Sequence, residues 1–208
     1  MSNSLLQQDD DSTGVKICGL MDEKCVDVAI AAGADAIGFV FAPTSPRVIN
    51  RDQADRLMGQ IPDGVLAIAV LQDYPNLADF SNWNGWVQLC GDEDEDTVES
   101  SPCPVIRAFK WSHEELLRWD ACQRVEALLV DGSSGGMGQG FDVTELGKLI
   151  PLLTKPVIIA GGLTLGNVAQ VIHTAKPRAV DVSSGVESSS GTKDPTKICE
   201  FINIVKGL

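Results

Sequence analysis

Histidine and basic residues are scarce in this chain of 208 residues, and each shortage excludes a class of function. The two histidines are His113 and His173, and the six cysteines form no CxxC pair and show no zinc-ligand spacing to either histidine. Lysine and arginine total 16 against 29 aspartates and glutamates, which gives a formal net charge of −13. A chain of that charge repels the phosphates of nucleic acids and of anionic membranes. We therefore expect no bound metal, no nucleic-acid partner and no membrane partner.

Long apolar runs and targeting signals are also missing from the sequence. No run approaches the roughly 18 apolar residues that a membrane-spanning helix needs. Residues 1–14 are polar and acidic, without the basic and apolar regions of a secretory signal, and are predicted to form a flexible tail. The cysteines are then expected to be free thiols in a reducing compartment, which predicts a cytoplasmic protein. Hydrophobic residues make up 44% of the chain, enough for one globular core over residues 15–208.

Eight short apolar runs, rich in β-branched residues, recur along the chain. Near-continuous apolar strands of this kind are typical of a parallel sheet covered by helices. The segments between them carry helical patterns, although the patterns after the third and fourth runs are poorly defined. The predicted strands are Val15–Leu20, Ala36–Phe41, Val65–Leu71, Trp86–Cys90, Val105–Trp111, Ala127–Asp131, Val157–Ala160 and Ala179–Val182.

Eight alternating strand and helix units leave two architectures, a closed barrel and a doubly wound open sheet. The open sheet predicts a G-x-G-x-x-G fingerprint after the first strand, and the segment "KICGLMDEK" lacks it. No domain-scale linker interrupts the repeat. The sequence therefore predicts an α/β protein made of a single (β/α)8 TIM barrel over residues 15–208.

The active site of such a barrel lies at the carboxyl ends of its strands, where several reactive side chains stand in this sequence. Cys18 ends the first strand, although a lone cysteine is more often a small buried hydrophobe. Asp131 ends the sixth and is either a general acid or a turn cap. Arg47, after the second strand, either binds a carboxylate bidentately or is a solvated loop residue. Lys110 and Glu187 are expected to be structural or solvent-facing.

Glycine and serine are concentrated in the last two turns, at Gly161 and Gly162 after the seventh strand and at Ser183, Ser184 and Gly185 after the eighth. Phosphate groups commonly bind at these two turns of the fold, because exposed backbone N–H groups and a helix N-terminus stabilise an anion. Local donors of this kind can hold a phosphate even on an acidic protein. The alternative is that the two turns merely close the barrel.

Five sequence blocks stand in register with the predicted strands: "KICGL", "GADAIGFVFAPTSPRVI", "LLVDGSSGGMGQGFD", "IIAGGLTLGNV" and "AVDVSSGVE". Together they resemble the phosphoribosylanthranilate isomerase family of tryptophan biosynthesis, from Val15 to the C-terminus. The resemblance implies an Amadori rearrangement of N-(5-phosphoribosyl)anthranilate to 1-(2-carboxyphenylamino)-1-deoxyribulose 5-phosphate. It also implies a phosphorylated small molecule as the substrate and no cofactor or metal.

The same resemblance implies roles for the candidate residues. Asp131 would be the general acid that protonates the furanose ring oxygen, and Cys18 the general base that removes the proton on C2′. A thiol whose pKa is lowered towards neutrality, opposite an acid whose pKa is raised, would supply the two proton transfers. Arg47 would hold the anthranilate carboxylate. The glycines and serines of the last two turns would hold the phosphate.

The sequence departs from the family pattern at several positions, and the acid, the base and the phosphate turns are not among them. The family's strand-four histidine is replaced by Cys90, which is expected on the substrate side of the pocket. The departures are Met21, Ile68, Val70, Gln72, Cys90 and Val143. We expect them to change the anthranilate side of the pocket.

Two other functions stay open at this point. One is a non-catalytic barrel that binds a sugar phosphate or an anthranilate-like ligand. The other is an isomerase of a related aminoaldose phosphate, as in histidine biosynthesis. That enzyme type tends to carry an aspartate at the first strand and two phosphate sites. The sequence leaves both a monomer and a homodimer open.

Overall fold

The computed structural model describes residues 5–6, 12–132 and 142–208. The glycine-rich segment predicted after the sixth strand therefore lies largely outside the described residues, at 133–141. The barrel strands are β1 (Gly14–Cys18), β2 (Ala36–Val40), β3 (Leu66–Leu71), β4 (Trp86–Leu89), β5 (Val105–Lys110), β6 (Val125–Asp131), β7 (Val157–Ala160) and β8 (Ala179–Val182). The helices are α1 (Glu23–Ala32), α2 (Arg51–Met58), α3 (Glu95–Glu99), α4 (His113–Ala121), α5 (Val143–Leu149), α6 (Val168–Ala175) and α7 (Pro195–Lys206). A short hairpin of β9 (Glu187–Ser189) and β10 (Thr192–Lys193) follows β8.

The eight strands form one closed barrel in chain order, and β8 pairs in parallel with β1. The predicted strands all overlap the observed ones, and no boundary differs by more than two residues. The predicted (β/α)8 architecture is confirmed. The two poorly defined connections contain a 3-10 turn at Leu77–Phe80 and the five-residue helix α3.

Local signals explain where the first helices begin and end. Asp22 caps α1 by accepting a hydrogen bond from the N–H of Cys25, and Gly33 ends that helix in the left-handed conformation at φ 98°. Asn50 and Gln53 form a reciprocal capping box at the start of α2. These caps fix the direction in which each helix returns along the outside of the barrel.

The strands have two buried faces, as their near-continuous apolar sequences require. In β1, Val15 and Ile17 pack outwards against the helices, whereas Cys18 belongs to the cluster inside the barrel. Most inward side chains are apolar, with Ile68 and Ile106 fully buried among them. The barrel is therefore a packed core below the site at its carboxyl end.

The amino-terminal end of the barrel is covered by a residue that precedes β1. Leu5 is fully buried and belongs to the inner cluster with Ala36 and Ala179, the first residues of β2 and β8. The carbonyl of Leu6 accepts a hydrogen bond from Arg178 Nε at 3.0 Å. Within the segment 1–14, for which the sequence predicts a flexible tail, the apolar side chain of Leu5 is therefore removed from water. No helix of the described residues is long and apolar enough to cross a membrane.

A buried ion pair holds the end of β4 against β5. Arg107 is 4% exposed; its Nη1 donates to Glu93 Oε2 at 2.8 Å and to the carbonyl of Leu89 at 2.9 Å. Its Nη2 donates to the carbonyl of Gly91 at 2.9 Å, and the guanidinium lies 4.7 Å from the ring centroid of Trp119. One side chain thus satisfies acceptors along the whole turn after β4.

Replacing Arg107 with methionine is expected to lower the free energy of unfolding by about 3–5 kcal/mol, because the carboxylate of Glu93 is left buried without its partner. Urea denaturation followed by circular dichroism measures the change. Arg56→Met is the matched control, since Arg56 is exposed on α2 and its loss should cost less than about 0.5 kcal/mol. Equal losses in the two variants would contradict the prediction.

Candidate active site

A cavity of about 410 Å³ opens at the carboxyl ends of the barrel strands. It brings together all of the predicted site residues except one. Those that line it are Cys18, Arg47, Cys90, Asp131, Gly161, Gly162, Ser183 and Ser184. Gly185 does not line the cavity.

Cys18 lies in the cavity wall at the end of β1 and is 7% exposed. Gly19 then turns the chain away with φ 76°, a conformation that favours glycine. A Cβ at Gly19 would lie 2.6 Å from Cδ of Arg47, so the missing side chain also makes room for the arginine stem. The carbonyl of Cys18 accepts a hydrogen bond from Ser183 Oγ at 3.2 Å, which ties the thiol's strand to the turn after β8.

The protonation of Cys18 is governed by burial and by three charged neighbours. Burial raises the pKa of the Cys18 thiol, and the carboxylate of Asp181 raises it further. The ammonium groups of Lys16 and Lys193 lower it, without overcoming burial. Burial thus opposes the expected lowering of the pKa towards neutrality, because an enclosed wall of the barrel disfavours a thiolate.

An ion pair lies inside the barrel beneath the thiol. Lys16 Nζ is 2.9 Å from Asp181 Oδ2; Lys16 is fully buried and Asp181 is 7% exposed. The two residues are register partners on β1 and β8. Burial lowers the pKa of Lys16, but the carboxylate of Asp181 raises it, and the result lies above the ordinary lysine value. The carboxylate of Asp181 therefore favours the charged form of Lys16 inside the barrel.

Asp131 reaches the same cavity from the other side of the barrel. It is half-buried at the end of β6, in register with Ala160 of β7 and Lys110 of β5. Because β6 stands three strands away from β1 around the closed barrel, the carboxyl group and the thiol of Cys18 reach the cavity from different parts of its wall. Lys110 is exposed at the rim, as expected.

Arg47 lines the cavity but already holds a carboxylate. Its Nε donates to Glu187 Oε1 at 2.6 Å and its Nη2 to Glu187 Oε2 at 2.9 Å. Burial raises the pKa of Glu187, but hydrogen bonds from Arg47 and Lys193 lower it to about 2. The structural role expected for Glu187 is confirmed. A ligand carboxylate would have to use the edge of the guanidinium that Glu187 leaves open.

The two glycine-rich turns meet beside the cavity. Gly161 and Gly162 both adopt positive φ, at 82° and 68°. A Cβ on Gly185 would lie 1.9 Å from the carbonyl oxygen of Leu163, so Gly185 lets the turn after β8 touch the turn after β7. This packing role explains why Gly185 stands behind the lining instead of in it. Ser183 and Ser184 of the second turn line the cavity.

Cys90 is the one family departure that lines the cavity. Burial raises the pKa of its thiol to about 12, and Gln88 Nε2 donates to its Sγ at 3.1 Å. The other departures lie elsewhere. Ile68 and Val70 are buried inside the barrel, Met21 and Val143 pack against its outer core, and Gln72 is exposed. Apart from Cys90, none of these residues lines the cavity, although Ile68 and Val70 share the inner face of the barrel with Cys18.

Sequence reasoning missed four polar residues around the cavity. They are Lys16, Gln88, Asp181 and Lys193. The sequence could have indicated Lys16, because it stands two residues before Cys18 and residues two apart in a strand share a face. Three or more metal-binding side chains do not come together anywhere in the ranges 5–6, 12–132 and 142–208.

Comparisons with known proteins agree with this geometry. The family model described as N-(5'-phosphoribosyl)anthranilate (PRA) isomerase matches residues 15–204. A protein of Chromohalobacter salexigens named N-(5'-phosphoribosyl)anthranilate isomerase is 41% identical over 205 residues, covering 93% of this chain and 94% of the relative.

Solved structures show the same likeness. The phosphoribosyl anthranilate isomerase of Thermotoga maritima superposes with a TM-score of 0.81 at 32% identity, covering 94% of this chain and 100% of that one. A phosphoribosyl anthranilate isomerase in complex with reduced 1-(o-carboxyphenylamino)-1-deoxyribulose 5-phosphate has a TM-score of 0.80 at 31% identity, with the same coverage.

Proposed function

The chain belongs to the N-(5'-phosphoribosyl)anthranilate isomerase family, and on this premise we propose that it catalyses the Amadori rearrangement of N-(5-phosphoribosyl)anthranilate in tryptophan biosynthesis. One observation carries the proposal beyond family membership. A single cavity is lined by a thiol and a carboxyl group from separate strands, β1 and β6, and by two glycine-rich turns. An isomerisation by proton transfer needs an acid and a base on the two sides of a bound sugar.

The proposed reaction begins at the sugar ring. Asp131 donates a proton to the furanose oxygen, the bond from that oxygen to C1′ breaks, and the anthranilate nitrogen forms a Schiff base with C1′. Cys18, as the thiolate, then removes the proton from C2′, and the electron pair moves to the nitrogen to give an enolamine. Tautomerisation returns a proton to C1′ and leaves a ketone at C2′. C1′ is reduced and C2′ oxidised within one molecule, so the reaction balances without an external oxidant or reductant.

The remaining predicted residues would hold the two anionic ends of the substrate. We assign the phosphate to the turns at Gly161–Gly162 and Ser183–Ser184, which line the cavity and are of the kind whose backbone N–H groups hold an anion. We assign the anthranilate carboxylate to Arg47, with Glu187 fixing the guanidinium. Local donors prevail over the net charge of the chain, because salt screens surface charges beyond about 8–10 Å.

The setting of the enzyme is also part of the proposal. All six cysteines are free, as in proteins of a reducing compartment, which supports a cytoplasmic enzyme. The substrate is the expected partner, and the oligomeric state, monomer or homodimer, stays a prediction.

The direct test is to add the protein to freshly prepared N-(5-phosphoribosyl)anthranilate and to follow the loss of anthranilate-type fluorescence. We expect turnover well above spontaneous decay. We also expect kcat/KM to rise with pH, because the raised pKa of Cys18 leaves most of this thiol protonated near neutrality in the free enzyme. Saturable binding of the substrate without turnover would instead favour a non-catalytic barrel. Turnover only of an aminoaldose phosphate would favour the histidine-type isomerase.

A further inference from the structure

We propose that Lys16 is a positioning residue for the catalytic base: its ammonium group, fixed inside the barrel by Asp181, stabilises the thiolate of Cys18. The inference rests on the proposed function of Cys18 and adds a residue that acts on this base without touching the substrate. It concerns a residue below the substrate cavity, since Lys16 is fully buried and does not line it.

The position of Lys16 follows from strand geometry. Residues two apart in a strand share a face, so Lys16 and Cys18 both point into the barrel. Their common neighbour is Gly38 of β2, the register partner of Cys18. A Cβ built on Gly38 would lie 3.0 Å from Cys18 Sγ and 3.2 Å from Lys16 Nζ. The sulfur and the ammonium group therefore both border the space that this glycine leaves empty.

Asp181 explains how a lysine stays charged in that place. Burying an isolated ammonium is costly, and a carboxylate 2.9 Å away offsets the cost. An ammonium group has three donors, and a single carboxylate does not occupy all of them. The ion pair thus places a cation on the buried side of the thiol, and Asp181 leaves part of the N–H donors of Lys16 unoccupied. Asp181 itself opposes the thiolate, since it is a second negative charge nearby.

The other charged or titratable groups near Cys18 are held by partners of their own or lie farther round the cavity. Lys193 Nζ donates to Glu187 Oε1 at 2.9 Å and to the carbonyl of Ser183 at 2.8 Å. Arg47 is engaged by Glu187, and burial keeps the thiol of Cys90 neutral. The groups that face Cys18 are Lys16 on β1, Arg47 after β2, Cys90 after β4, Asp131 on β6, Asp181 on β8, and Lys193 on β10 with Glu187.

The two members of the ion pair are therefore expected to act on Cys18 with opposite signs. Lys16→Met removes the attraction and should raise the pKa of the thiol. Asp181→Asn removes the repulsion and should lower it. A pair that served stability alone would behave differently: either single variant would damage the site in the same direction, and a neutral double variant would restore it.

The experiment titrates Cys18 in the full chain by the ultraviolet absorbance of its thiolate. Each protein is compared with its own Cys18→Ala counterpart, so that the other cysteines and the tyrosine cancel. The proteins are wild type, Lys16→Met, Asp181→Asn and the double variant, with circular dichroism as the check on folding. The pH profile of kcat/KM is recorded beside the titration, because it reports the same base in the free enzyme.

For Lys16→Met we expect the pKa of Cys18 to rise by at least about one unit. At a fixed pH below that pKa, this shift lowers both the thiolate fraction and kcat/KM about tenfold. Asp181→Asn should lower the midpoint of the thiolate titration and the midpoint of the kcat/KM profile. If Lys16→Met does not fold, the double variant is used to test the proposal. The midpoint of its Cys18 titration should stay above that of wild type. A double variant with the wild-type midpoint, or single variants shifted in the same direction, would overturn the proposal. Failure of the proposed function is a separate result, since wild type would then titrate normally without turnover.

Discussion

Cys18→Ala and Asp131→Asn are each expected to lower kcat by about 10²–10⁴-fold, the usual contribution of one positioned acid or base. The two changes remove a proton acceptor at C2′ and a proton donor at the ring oxygen. KM should change much less in both, because the phosphate and the carboxylate are held by other residues. Steady-state kinetics with N-(5-phosphoribosyl)anthranilate separates the two constants.

Matched variants distinguish lost chemistry from general damage. Cys25→Ala removes another buried thiol, on α1 and outside the cavity, and Asp27→Asn removes an exposed carboxylate of the same helix. Both controls should keep wild-type kcat. A Cys18→Ala enzyme with kcat near that of Cys25→Ala would remove Cys18 from the mechanism. The role of Asp131 is tested independently of that result, by comparing Asp131→Asn with Asp27→Asn.

The second large effect is expected from a single methyl group behind the phosphate turns. In Gly185→Ala the new Cβ would lie 1.9 Å from the carbonyl oxygen of Leu163, closer than any real contact. Backbone must move, and the two turns that we assign to the phosphate separate. A displacement of about 1 Å in a positioning element can cost about 10²-fold, so we expect kcat/KM to fall by that order. The loss should fall mainly on KM, because Cys18 and Asp131 stand on other strands.

Gly166→Ala is the control for that change, since a Cβ there would have only Thr164 Oγ1 nearby, at 3.8 Å. It lies in the same turn after β7 and should leave kinetics unchanged. Inhibition by inorganic phosphate supplies an independent readout, which should weaken in Gly185→Ala and persist in Gly166→Ala. Unaltered phosphate inhibition in Gly185→Ala would place the phosphate elsewhere.

The sequence by itself determined the barrel and the residues at its carboxyl end. Apolar runs with a regular spacing predicted all eight strands, because a parallel barrel buries both faces of every strand and leaves a continuous signal. Knowing where β1 and β6 end was enough to place Cys18 and Asp131 in one cavity, since all carboxyl ends of a closed parallel barrel meet there. The glycine-rich turns followed from the same rule.

Only the tertiary structure decided the electrostatics of the site. A residue's burial and its charged neighbours come from other strands, so the raised pKa of Cys18 could not be read from "KICGL". Arg47 and Glu187 are 140 positions apart, and their ion pair exists because the turn after β2 meets the start of β9. Lys16 and Asp181 are likewise joined through the closure of β8 onto β1. Local pattern fixes which atoms reach the cavity, whereas the folded barrel sets the charge and proton affinity that those atoms have once they arrive there.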